Sequence, residues 1–160
     1  MVSVYQQKGL DLYPVVESTI KDILKTTAIF KDFFEINPNL YNPLRQQYNA
    51  MSIIDQMAKI QEEKSNKRFM LVDVDIYVQG INHVFGLADP VRQTAIVSTH
   101  RLEGDKFPER LAKETVHELA HLYGLQHCSI PECVMFFSHT MLNTDHKQST
   151  FCPNCRSKYG

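Results

Sequence analysis

The chain has 160 residues, with 17 Lys and Arg against 18 Asp and Glu, giving a formal charge of −1. That length holds one domain and buries enough surface to fold without covalent staples. The charge balance argues against a dedicated nucleic-acid binder, no apolar run reaches the roughly 18 residues of a membrane span, and the first residues lack the basic-then-apolar order of a secretory signal. The expected location is the cytoplasm, a reducing compartment where clustered cysteines bind metal more often than they pair.

In chain order, residues 2–6 read as a short first strand. Leu12, Val16, Ile20, Ile23 and Leu24 recur at helical spacing and predict an amphipathic helix over 12–26. Residues 28–36, rich in aromatic and branched side chains, suit a strand. Asn37-Pro-Asn and Asn42-Pro mark turns. Ala50, Ile53, Ile54, Met57 and Ile60 form the apolar stripe of a second helix. From Met70 to Val78 the alternation predicts one strand, with Asp73 and Asp75 on its less buried face. Two carboxylates there can serve a metal or acid–base chemistry, but a solvated strand face is the plainer reading. Residues 94–100 read as another strand. This order of elements predicts an α+β or α/β layer around a sheet of four or five strands.

Residues 107–124 read as a third helix, with Pro108 in its first turn and Gly124 just past its end. Ala112, Val116, Leu119, Ala120 and Tyr123 share one face, and His117 and His121 share another. One turn apart, these two imidazoles can reach a single ion, and Glu118 between them can act on water at that ion. The run continues through Gly124 to His127, so a helix break there can return a third imidazole to the same ion. Ordinary surface histidines explain neither Gly124 nor His127.

The four cysteines are Cys128, Cys133, Cys152 and Cys155. Two short-spaced pairs separated by a longer gap match a closed, structural four-thiolate zinc site. Two disulfides or a redox Cys-x-x-Cys are the competing readings. His127 and Cys128 are neighbours, so in extended backbone they can face two different metals. The residues after Gly124 are short of apolar periodicity, and a segment of under about 40 residues usually needs a metal, a disulfide or a partner surface to stay folded.

The run from His117 to His127, followed by a later Met, resembles the metzincin clan of zinc peptidases. With Cys128, Cys133, Met135, Cys152 and Cys155 it is similar to the archaemetzincins in particular. The stretches 41–48, 72–75, 84–88, 98–102 and 133–138 share the likeness, which spans nearly the whole chain. The resemblance implies a compact α+β, metzincin-like fold in a single metallopeptidase domain, 1–160. An upper part, 1–124, would hold a twisted sheet and the active-site helix, and a lower part, 125–160, would hold the cysteine site. It implies a catalytic zinc on His117, His121 and His127, Glu118 as general base and acid, and a second, structural zinc on the four cysteines. Met135 would be the Met-turn residue, with Met141 as its rival. Two departures from the family pattern stand out. The link 136–151 is one residue shorter, and Phe137 stands where some metzincins carry Tyr. Asn82, His83, His100 and His139 are available as oxyanion donors, although surface or structural roles suit them better.

The expected activity is hydrolysis of a peptide or protein substrate lying extended along a sheet edge at 94–99. The alternative is a zinc-stabilised binding protein of the same fold with little or no peptidase activity. A zinc ribbon binding nucleic acid is a third reading, weakened by a tail charge that is only slightly basic. The oligomeric state is not legible in the sequence.

Overall fold

The computed structural model describes residues 1–160. Its elements are β1 (Val2–Gln7), α1 (Tyr13–Thr19, continued by a π-helical turn Ile20–Leu24), β2 (Ala28–Phe34), β3 (Tyr41–Asn42), β4 (Gln47–Asn49), α2 (Ala50–Ala58), β5 (Lys67–Val72), β6 (Ile76–Val78), β7 (Ile81–Val84), β8 (Gly86–Asp89), β9 (Thr94–Ser98), α3 (Phe107–Leu122), α4 (Met141–His146) and α5 (Pro153–Tyr159). The α+β class agrees with the sequence reading.

The main sheet has the order β2-β1-β5-β9-β8. Its first four strands run parallel and β8 runs antiparallel against β9. A mainly parallel sheet is covered on both faces, so its central strands are apolar throughout. Accordingly Phe69, Met70, Leu71 and Val72 are all fully enclosed, as are Ala95, Ile96 and Val97. Alternate residues feed two cores. Phe69, Leu71, Ala95 and Val97 pack with Val16 and Ile20 of α1 and its continuation and with Val116 and Leu119 of α3. Met70, Val72 and Ile96 pack with Ile53, Ile54 and Met57 of α2.

Two expectations are corrected here. The strand expected over 70–78 is two strands in different sheets. β5 ends at Val72, and β6 belongs to a second sheet of order β3-β4-β6-β7. The apolar alternation survives the crossing because both sheets bury one face against α2, so periodicity alone conceals the break. Asp73 and Asp75 therefore lie in the crossing rather than on a solvated strand face. The Asp73 backbone N–H donates to Gln7 Oε1. The Asp75 carboxylate accepts from Arg101 Nε and Nη2 at 2.7 and 2.8 Å and from Gln47 Nε2 at 3.0 Å.

The second correction concerns 94–99, which is not a sheet edge. β9 lies between β5 and β8, and the free edge on that side is β8. Half-buried throughout, Gly86–Asp89 carries too little apolar alternation to read as a strand.

Candidate active site and metal centres

The site grows from the end of α3. Helix termination at Gly124 has the double hydrogen bond of a Schellman turn: Leu125 N–H donates to Ala120 O and Gly124 N–H to His121 O, both at 3.1 Å. That turn needs a left-handed residue, and Gly124 supplies it at φ 95°. Chain reversal then brings His127 back to α3, with ring centroids 5.3 Å from His117 and 4.9 Å from His121. The ligand nitrogens of the three imidazoles lie within 4.8 Å of one another.

Hydrogen bonding sets the tautomers. His117 Nδ1 lies 2.8 Å from Val134 O, and His121 Nδ1 lies 2.8 Å from Leu125 O. A carbonyl only accepts, so both Nδ1 atoms carry the proton and both Nε2 atoms offer lone pairs. Those Nε2 atoms are 3.3 Å apart with no proton to share between them. A tetrahedral zinc with Zn–N bonds of about 2.0–2.1 Å spaces its nitrogens by about 3.3–3.4 Å. Burial lowers the pKa of His117 well below its usual value, helped by the charge of Lys147, and burial also lowers His121 and His127. Neutral imidazoles are the form that binds metal. The residues present thus fit a zinc ion.

Glu118 is buried, and burial pushes its pKa well up, with Glu114 adding to the rise and Lys147 opposing it. Its side chain lies against β8 where Gly86 has no side chain. A Cβ at Gly86 would sit 2.7 Å from Glu118 Cγ and 2.7 Å from Ile96 O. The cleft in front of these groups has a volume of about 560 Å³. Val78, Ile81, Leu87 and Pro90 form its upper wall, and Gln126 and Phe137 lie among its lower lining. Apart from Glu118 and the imidazoles, no ionisable side chain lines it. The Phe137 ring lies 5.1 Å from that of His127. Asn82, His83, His100 and His139 do not line the cleft.

Sequence reading did not find Gly86, Val78, Ile81, Leu87 or Gln126 as site residues. An isolated Gly between Phe85 and Leu87 was the available signal, since a glycine in a strand often marks a close approach by another group.

The four cysteines also converge. Their sulfurs lie within 4.8 Å of one another, unpaired, and Cys128 Sγ is 3.9 Å from Cys152 Sγ. Zn–S bonds of about 2.3 Å give a tetrahedral edge of about 3.8 Å. The Cys155 N–H, together with neighbouring thiols, brings Cys152 down to about 7, whereas burial pushes Cys133 and Cys155 up. Such a cluster suits a cation that compensates several thiolates at once. Met135 is fully buried within the larger core, while Met141 opens α4 and is half-buried.

The sequence profile of peptidase family M54 matches residues 5–159. The chain belongs to peptidase family M54. It is 39% identical over 139 residues to the archaemetzincin of Nanoarchaeum equitans, a match covering 85% of this chain and 78% of that protein. Against the archaemetzincin of Pyrobaculum aerophilum it is 57% identical over 86 residues, covering 54% of this chain and 56% of that one. The crystal structure of the Archaeoglobus fulgidus archaemetzincin complexed with malonate superposes with a TM-score of 0.86 at 31% identity, covering 99% of each chain. This M54 member is a zinc metallopeptidase of the archaemetzincin group. No helix in it is long and apolar enough to cross a membrane.

Proposed function

We propose that this M54 member hydrolyses peptide bonds of a peptide or protein substrate in the cleft beside α3, using a zinc ion held by His117, His121 and His127. The observation that carries this reading is the pair of Nε2 lone pairs 3.3 Å apart, each fixed by a carbonyl on the far side of its ring. When bound, zinc brings the pKa of its water toward about 7 and polarises the scissile carbonyl. Glu118 takes the proton of the attacking water as its oxygen adds to the carbonyl carbon, then delivers it to the departing amine. Enclosure suits Glu118 to both halves of that task, because a raised pKa makes the carboxylate a better acceptor and its acid form available for return. Gly86 leaves the room this side chain needs.

In the same reading a second zinc is bound by Cys128, Cys133, Cys152 and Cys155 and is structural. Residues 1–124 form an upper part and residues 125–160 a lower part of one domain, with Met135 as the Met-turn residue and Gly124 as the helix-breaking turn. Reduced thiols are needed for that site, which suits a cytoplasmic location.

Glu118→Gln keeps the shape and removes the proton acceptor. The expected variant binds zinc like wild type, two ions per chain by metal analysis, and has lost turnover of a broad peptide library. Wild-type rates in that variant would refute the mechanism. No cleavage by the zinc-loaded wild type would point instead to a binding protein of this fold.

A further inference from the structure

Three successive carbonyls at the turn after Cys133 are each taken by a donor from the site's surroundings. Val134 O accepts from His117 Nδ1 at 2.8 Å, Met135 O from the Cys128 N–H at 3.0 Å, and Phe136 O from Lys147 Nζ at 3.0 Å. The first donor belongs to one of the three clustered imidazoles, and the second is the residue after another. Neither the sequence patterns nor the proposed mechanism uses the third. Lys147 is only 1% exposed, which for a lysine demands a partner. Its counter-ion is Glu114, 3.5 Å away and 3% exposed. Glu114 Oε1 also accepts from Thr144 Oγ1 at 3.1 Å. Glu114 stands on α3 one turn before Glu118 and three residues before His117, and the same helix face carries the Arg110–Asp145 pair that holds α4.

Well-packed apolar residues often stabilise a fold as well as a buried ion pair does, so stability alone is a weak reason for its presence. Its location has a geometric consequence. Lys147 fixes the orientation of the Phe136 peptide, and the next residue, Phe137, lines the cleft with its ring 5.1 Å from His127.

We propose that Glu114 and Lys147 are positioning residues for the active site: their ion pair braces α3 against the 134–136 turn and so sets the placement of Phe137 and His127. The inference rests on the peptidase reading above, and its test separates the two. Loss of wild-type activity to a chelator checks the reading; a comparison of variants with wild type checks the brace.

The decisive variant is Glu114→Gln with Lys147→Met, which removes both charges at nearly constant volume. It is expected to melt close to wild type and to keep its zinc. Its kcat should fall about tenfold to a hundredfold with KM within about threefold, the scale of a small misplacement of reacting groups. Independent of turnover, the ring NMR signals of His127 and His117 in the zinc-loaded variant should shift while the amide signals of β1 and β5 stay in place. A folded double variant with wild-type kcat and wild-type ring signals overturns the proposal. So does a kcat that falls only in proportion to lost zinc or lost folded protein. Lys147→Arg keeps the charge and a donor, and should recover part of the lost kcat. If this double variant does not fold, the apolar pair Glu114→Met with Lys147→Met decides: a folded protein with lowered kcat and shifted His127 signals supports the brace, and wild-type kcat and signals overturn it.

Discussion

Before Gly124 the fully enclosed side chains are mostly hydrocarbon, with Val4, Phe69, Leu71, Ile96 and Val97 as examples. After it the most enclosed residues are Leu125, Cys133, Val134, Met135, Thr144, Lys147 and Cys155. The first region makes its interior from the two faces of one mainly parallel sheet. The second, 36 residues from 125 to 160, has too few apolar side chains for a core of its own and adds its few to the larger cluster of the first. What remains of its order comes from chemistry, from four converging thiols and the Arg110–Asp145 pair, while the Glu114–Lys147 pair sets orientation within it. The difference teaches where the site is vulnerable. His117, His121 and Glu118 sit on a helix that belongs to the apolar region, whereas His127 and Phe137 belong to the region held by polar groups.

The largest effect that would break this contrast is removal of one thiol. In Cys155→Ser the proposed zinc loses a ligand, and metal binding in small zinc modules is worth about 10–16 kcal/mol of folding energy. Residues 125–160 are expected to lose protection in amide hydrogen exchange, and peptide hydrolysis should disappear because His127 goes with them. β1, β5 and β9 should stay protected. If the two regions instead lost protection together at the same denaturant concentration, the thiols would be holding the whole molecule and the contrast would fail.

A second test acts on the apolar side of the cleft. Gly86→Ala places a Cβ 2.7 Å from Glu118 Cγ and from Ile96 O, contacts too close to persist. Something must shift, and Ile96 O belongs to the β9 backbone in mid-sheet, so the Glu118 side chain is the softer partner. The expected result is a kcat lowered about a hundredfold, with zinc content unchanged and overpacking destabilisation of about 1–3 kcal/mol in urea. A drop in zinc content matching the drop in kcat would show that the three imidazoles moved instead.

What the sequence makes legible follows from the same contrast. α3 can be read because its apolar face, its Pro108 start and its Gly124 stop all fall within one local stretch. The three histidines follow, since a helical turn and a helix break fix their relation. The second sheet is not legible, because β3, β4 and β6 have two or three residues each and the pairing that joins its two hairpins, Tyr48 with Ile76, is remote in the chain. Two or three residues cannot display alternation. Its absence from the sequence reading hid the wall of the cleft that carries Val78 and Ile81, whereas β9 stood as the supposed edge because β8 of the main sheet went unread. Glu114 and Lys147 are hidden for a different reason. A charged residue in a helix or loop ordinarily faces water, and only the packing of α4 against α3 encloses these two.

The smallest effect tests the seam between the two sheets, far from any thiol. Burial pushes the Asp75 carboxyl up, but hydrogen bonds from Arg101 and Gln47, with the Arg101 charge, outweigh it and hold the pKa below the usual carboxylate value. A depressed folded-state pKa means that the ionised form stabilises the fold. That contribution is complete above the unfolded value of about 3.9 and is lost as pH falls through the lower folded one. Arg101→Gln removes the counter-ion. Because Arg101 is 40% exposed at its side chain, water screens the pair and the expected loss at pH 7 is under about 1 kcal/mol. Urea denaturation of the two proteins at pH 7 and pH 3 measures it. The gap at pH 7 should shrink as Asp75 takes up its proton, leaving the variant's stability less steeply dependent on pH in the acid range. A gap of equal size at both pH values would assign it to packing of the Arg101 stem rather than to the ion pair, and the seam would then be held by apolar contact like the rest of its region.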